Sequence, residues 1–219
     1  MARIRPKDSA LISRLLGLPK PYFTATDLEK ILGLPRASLY VTLTRLVQAG
    51  VLVRLRKNVY KLALAPTESE KAASELYFPS YLSFESALSK YGILSQIPYT
   101  LTFATTRPSK KMMLGNVQIE YRRLKRDLFF GYALENGIYI ATPEKALLDE
   151  LYLSSRGKAT LDIAELDLRE INLARLEEYA DKFPRYTNSL LARVKELIGT
   201  TPTTLETRER VGWGKGEKR

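Results

Sequence analysis

Gly33, Leu34 and Pro35 interrupt an otherwise helical stretch, and that interruption constrains the chain more than any other feature. Glycine accepts the positive φ that ends a helix, while proline cannot continue one but suits the first turn of the next. Two short helices around a tight turn are therefore expected within TATDLEKILGLPRASLYVTLTRLVQAGVLVRLRKNVYKL, residues 24–62. Thr26, followed three residues later by Glu29, reads as a capping box that starts the first helix at about residue 27. From Arg36 the apolar residues Leu39, Leu43, Leu46 and Val47 recur at helical spacing, so the second helix buries one stripe and ends near Gly50.

The opposite face of that second helix carries Ser38, Val41, Thr44, Arg45 and Gln48, with Tyr40 at its flank. Short and polar side chains let a helix enter a groove about 12 Å wide and bring hydrogen bonds and a methyl contact to base edges. Residues 51–56 and 59–62 then read as two strands around Lys57 and Asn58, a basic hairpin with Arg54 and Arg56 near its tip. Helix, turn, helix and hairpin make a winged helix-turn-helix. The candidate DNA contacts are Thr26, Arg36, Ser38, Tyr40, Val41, Thr44, Arg45 and Gln48, joined by Arg54, Arg56, Lys57 and Asn58.

Charge is segregated in the same direction. Residues 1–65 hold 12 Lys/Arg against 3 Asp/Glu, net +9; residues 66–160 hold 12 against 10, and residues 161–219 hold 11 against 11. Nearly all of the +11 therefore lies on the DNA-reading segment, as phosphate neutralisation requires. With no cysteine and no histidine, the chain has no disulfide, thiolate zinc site, cysteine nucleophile or histidine base. No catalytic residue, cofactor or metal is expected. No apolar run approaches a membrane span, and the basic N-terminus has amphipathic rather than secretory spacing, so a cytoplasmic location is expected.

The expected fold class is α+β: an N-terminal winged helix domain over residues 1–65, a linker over 66–76, a larger mixed α+β domain over 77–198, and a flexible polar tail over 199–219 carrying Trp213. In the second domain Ser83 is expected to cap a helix ending at Gly92, and residues 99–105 and 117–121 read as strands. A hairpin is expected around Glu135, Asn136 and Gly137, and Thr142–Pro143 should open the helix EKALLDELYL. Asn172, and either Thr187 or Asn188, should cap two closing helices. Glu144, Lys145, Asp149 and Glu150, at helical spacing, are expected to make surface contacts. Arg107, Lys110, Lys111, Arg122, Arg123, Lys125 and Arg126 read either as auxiliary phosphate contacts beside the wing or as solvated loop charge.

Four strings in this second domain, YLSFESALSKYGIL, FATTRPSK, LFFGY and IYIATPEKALLDELYL, resemble in order and spacing the AbiEi family, the antitoxins of abortive-infection AbiE-type toxin–antitoxin systems. With the helix-turn-helix, the resemblance covers roughly residues 24–153. It implies an autorepressor that binds inverted repeats in its own promoter as two copies per operator, and a C-terminal domain that counters a cognate nucleotidyltransferase-like toxin. Two other readings stay open at this point. A stand-alone regulator would use the second domain to dimerise or sense a ligand. A metal-dependent nuclease would need neither histidine nor cysteine, but its usual acid–any–lysine strand signature is absent.

Overall fold

The computed structural model describes residues 6–65 and 68–200. From Thr201 onward the tail, Trp213 included, lies outside the described residues. The chain is α+β: a small winged helix body is followed by a larger body built on a mixed sheet.

The small body runs α1 (Pro6–Leu16), β1 (Phe23–Thr24), α2 (Ala25–Leu32), α3 (Arg36–Gln48), β2 (Leu52–Arg56) and β3 (Val59–Leu62). Its strands form an antiparallel sheet in the order β1-β3-β2. Gly33 ends α2 in the left-handed region at φ 63, and the chain turns through Leu34 and Pro35 into α3 as the sequence requires. Leu28, Leu39, Leu43 and Leu46 meet Leu11, Leu15, Phe23 and Leu52 in a closed core.

Helix α2 starts at Ala25, two residues before the position that the sequence suggests. The capping box is formed by Thr24 and Asp27, not Thr26 and Glu29: Asp27 N–H donates to Thr24 Oγ1 at 3.1 Å and Thr24 N–H donates to Asp27 Oδ2 at 2.9 Å. Because β1 pairs Thr24 with Val59, the chain is still extended at Thr24, and the helix starts immediately after it. Thr26 is then an exposed first-turn residue.

The larger body comprises α4 (Ser69–Leu76), β4 (Ser80–Leu82), α5 (Phe84–Lys90), β5 (Thr100–Thr105), β6 (Lys110–Leu114), β7 (Val117–Arg123), β8 (Tyr132–Glu135), β9 (Ile138–Ala141), α6 (Pro143–Ser154), α7 (Leu173–Ala180) and α8 (Asn188–Thr200). Six strands lie in the order β6-β7-β5-β4-β9-β8, with β5 parallel to β7 and β4 parallel to β9. On one face α4 is fastened by the Tyr121 hydroxyl donating to Ala73 O at 2.7 Å. On the other, α5 and α6 pack side by side.

Most of the expected segment 66–76 is thus not a linker. Residues 69–76 are α4, whose Ala72 and Ala73 are buried in the larger core, because small side chains let its backbone approach the sheet closely. Thr142 and Asn172 cap α6 and α7 as expected. Ser83 stands at the N-cap position of α5 as expected, but neither its side chain nor that of Thr187 makes a capping hydrogen bond. The Ser83 hydroxyl is drawn instead to Asp149, and the Thr187 hydroxyl is buried without a hydrogen-bond partner among the described residues. Helix α8 extends through Gly199 to Thr200.

The largest departure concerns α6. Glu144, Lys145, Asp149 and Glu150 are buried, not on the surface. Asp149 accepts from Ser83 Oγ at 2.8 Å and Tyr81 Oη at 2.9 Å and pairs with Lys145, whose ammonium also donates to Tyr81 Oη at 2.9 Å. Glu144 accepts from the Asn172 N–H at 3.0 Å, and Glu150 lies 3.4 Å from the Arg122 guanidinium. Each of these groups has a polar partner on another element, which offsets part of the cost of covering the helix on all sides, while Glu144 Oε2 and Glu150 Oε1 are buried without a hydrogen bond among the described residues.

Candidate nucleic-acid interface

Helix α3 buries Leu39, Leu43 and Leu46 and leaves Arg36, Ser38, Tyr40, Val41, Thr44 and Gln48 exposed. Val41, 72% exposed, is an apolar side chain held out by the helix that buries its neighbours. Thr44 turns its hydroxyl back onto Tyr40 O at 2.9 Å. Tyr40 Oη donates to Asn58 Oδ1 at 3.4 Å, linking the exposed face of α3 to the hairpin turn. Asn58 adopts φ 62, a conformation that asparagine tolerates in tight turns, and its carbonyl accepts the Ala25 N–H at 2.9 Å. The hairpin tip is therefore fixed relative to the start of α2 and to Tyr40 on α3.

A groove of about 620 Å³ opens between these elements. Thr26, Arg36, Tyr40, Lys57 and Asn58 line it from the small body, and Lys110 with Met112 and Met113 lines it from β6. Lys57 is exposed and without a partner among the described residues, and Arg54 reaches only the Arg56 carbonyl, at 3.4 Å. Lys110 rides over the Tyr77 ring at 5.1 Å beside Arg107 at 4.2 Å. Met112 and Met113 carry no motif in the sequence; only the pairing of β6 on β7 and its approach to β2 bring them there.

Two candidate readers are otherwise engaged. Both terminal nitrogens of Arg45 lie on the buried Asp8 carboxylate, at 2.7 and 2.9 Å, and those hydrogen bonds hold the guanidinium pKa above its ordinary value. Arg45 thus ties α3 to α1 in this arrangement. Arg56 lines the groove too, but its guanidinium donates to Met112 Sδ at 3.0 Å, at the junction with the larger body.

The basic residues of the larger body separate into two places. Lys110 joins the α3 groove, whereas Arg122, Arg123, Lys125 and Arg126 line a different groove with Arg156 and Lys158 and share no lining residue with the first. Lys111 pairs with Glu120 at 3.5 Å. No pattern in the sequence connects Arg156 and Lys158 with the Arg122–Arg126 run, because about 30 positions separate them and only the fold joins them.

Residues 12–63 match the family model described as transcriptional regulator, AbiEi antitoxin. The matched span begins in α1 and ends after β3, so it coincides with the winged helix body. The winged helix body is thus similar to the AbiEi antitoxin regulators. A comparison with curated proteins found no match. That likeness, to proteins described as transcriptional regulators and antitoxins, spans α1 to β3 alone. Among the described residues, no helix is long and apolar enough to cross a membrane.

Proposed function

We propose that the chain binds duplex DNA through α3 and its wing, represses its own promoter as two copies on inverted repeats, and serves as the antitoxin to a nucleotidyltransferase-like toxin. The observation that carries the reading is a coincidence of two boundaries. The residues matched to the AbiEi regulators are those that hold an exposed, short-side-chain recognition face beside an unpaired wing lysine. In this reading Ser38, Val41, Thr44 and Gln48 meet base edges, while Arg36, Arg54, Lys57 and Lys110 contact phosphates. Arg45 acts indirectly by setting the angle of α1 on α3. One helix spans too few base pairs for useful specificity, which is why two copies are proposed.

Gel shifts with the DNA upstream of the gene test the first half. Gln48→Ala and Ser38→Ala should narrow the gap between operator and unrelated DNA, whereas Lys57→Gln should weaken both and lower the salt slope by about 1. Unaltered binding in all three variants would overturn the interface. For the second half, the neighbouring open reading frame is expressed with the full chain or with a DNA-binding-deficient Gln48→Ala/Lys57→Gln chain. Growth rescue by both would place neutralisation outside the DNA reader. A neighbour that is not toxic would instead favour a stand-alone regulator.

A further inference from the structure

The second basic groove, of about 780 Å³, lies where the parallel strands β5 and β7 end. Leu124 N–H donates to Thr105 O at 2.8 Å there, closing the strand ends together. In open sheets with parallel strands, ligands bind beyond the carboxyl ends of the strands, where backbone and loops leave a crevice. Six cations line this one against a single carboxylate, Glu120, which is already held by Arg122 and Lys111 at 3.5 Å each.

The arrangement of charge within the groove is uneven. Arg122 is satisfied: Glu85 takes both its terminal nitrogens at 2.8 Å and Glu150 lies at 3.4 Å. Arg123, Lys125, Arg126 and Lys158 have no carboxylate partner among the described residues. Their backbones are nonetheless pinned. Leu124 and Leu128 are buried on either side of Lys125 and Arg126, Arg123 N–H donates to Ser109 Oγ at 3.0 Å, and Lys158 N–H donates to Leu153 O at 2.9 Å. On the far wall, Arg156 donates to Tyr152 Oη at 2.9 Å. Crowded cations held on an ordered frame repel one another unless an anion is shared among them.

We infer that this groove binds an oligophosphate, either free or as the phosphate chain of a nucleoside triphosphate. Guanidinium forks match phosphate oxygens bidentately and lysines act as point charges beside them. The hydroxyls of Thr106 and Ser109 at the rim add neutral donors. The volume falls within the range of small-ligand sites and exceeds what a single phosphate fills. The surroundings argue against continuity with the DNA groove. Lys110 pairs across from Tyr121, which faces α4, whereas Arg122, the next residue along β7, faces α5 and α6 through Glu85 and Glu150. The two grooves also share no lining residue.

The test is titration calorimetry on the full chain with inorganic tripolyphosphate and, in parallel, ATP, while binding of a labelled duplex is followed by anisotropy. Saturable binding of tripolyphosphate at one site per chain is expected. Arg123→Gln/Arg126→Gln and, separately, Lys125→Gln/Lys158→Gln should weaken it about tenfold or more, and Arg36→Gln/Lys57→Gln should leave it unchanged. Tighter binding of ATP than of tripolyphosphate would identify a nucleotide as the source, and equal binding a free polyphosphate. Absence of saturable heat overturns the inference. So does loss of the binding in Arg36→Gln/Lys57→Gln, or an Arg123→Gln/Arg126→Gln chain that loses duplex affinity and keeps tripolyphosphate.

Discussion

Asp149 shows what a single buried side chain demands of its neighbours. Ser83, Tyr81 and Lys145 all donate to it, and the rings of Phe130 and Phe183 lie 5.1 and 5.2 Å from the Lys145 ammonium. Removing one member of such a set leaves the other charge desolvated and unpaired, at a cost of about 3–5 kcal/mol, whereas replacing both by apolar groups is far milder. Asp149→Ala should therefore lower stability in urea more than Lys145→Met/Asp149→Leu does; the reverse order would show that the pair is held by something other than mutual compensation. Glu150, one residue on, titrates differently. Burial, with Glu85 adding to it, pushes its pKa up to about 8 against the opposing Arg122. A carboxyl raised on folding stabilises the folded state while it is protonated, so its contribution is lost as pH rises from its unfolded value, near 4.5, through 8. Glu150→Gln should flatten the fall in stability of the wild type across that window, and parallel curves for the two proteins would contradict the assignment.

Among the elements, α3 carries two duties that meet at Arg45. Its outer face is exposed and touches the hairpin through Tyr40 and Asn58, but its anchorage to α1 passes through the Arg45–Asp8 pair, with the arginine side chain 28% exposed and the aspartate 3%. Arg45→Ala and Asp8→Ala should each loosen α1, visible as faster amide exchange in residues 8–16 and as a lower melting temperature, and each should weaken DNA binding without changing its preference for one sequence. A change of preference in Arg45→Ala would return that residue to the base-reading set. This pair also marks how far sequence reasoning reaches. Gly33, Pro35 and Asn58 were legible because their conformational demands are local, and so was the α3 stripe. The Asp8–Arg45 contact spans 37 positions and follows no period. Strand β6, KKMML, escaped notice because its alternation is weak and it is ordered by pairing on β7. The acidic and basic residues of α6 have the spacing of a solvated face, and only partners on α5, β4 and β7 reveal them as core.

At the scale of the whole molecule, the wing is a shared part. Leu55 O on β2 accepts the Gly115 N–H at 3.0 Å from the β6–β7 turn, and Leu55 and Tyr22 pack against the core of the larger body. Arg56 adds its bond to Met112. The edge strand of the small sheet thus abuts the edge of the large one, so the wing cannot tilt without disturbing β6, and Lys110 keeps its place in the α3 groove. Such coupling predicts one cooperative calorimetric transition for both bodies. Leu55→Ala with Tyr22→Ala removes apolar contact at the junction and leaves the hydrophobic cluster of the small body in place. The variant should resolve into two transitions, the smaller body melting first because it has the smaller core. Its DNA affinity should fall although no residue facing the groove has changed, because Lys110 would no longer be held beside the wing. If the variant melts in a single step and binds DNA as the wild type does, the bodies are joined through α4 and its neighbours rather than through the wing, and Lys110 contributes nothing that depends on position.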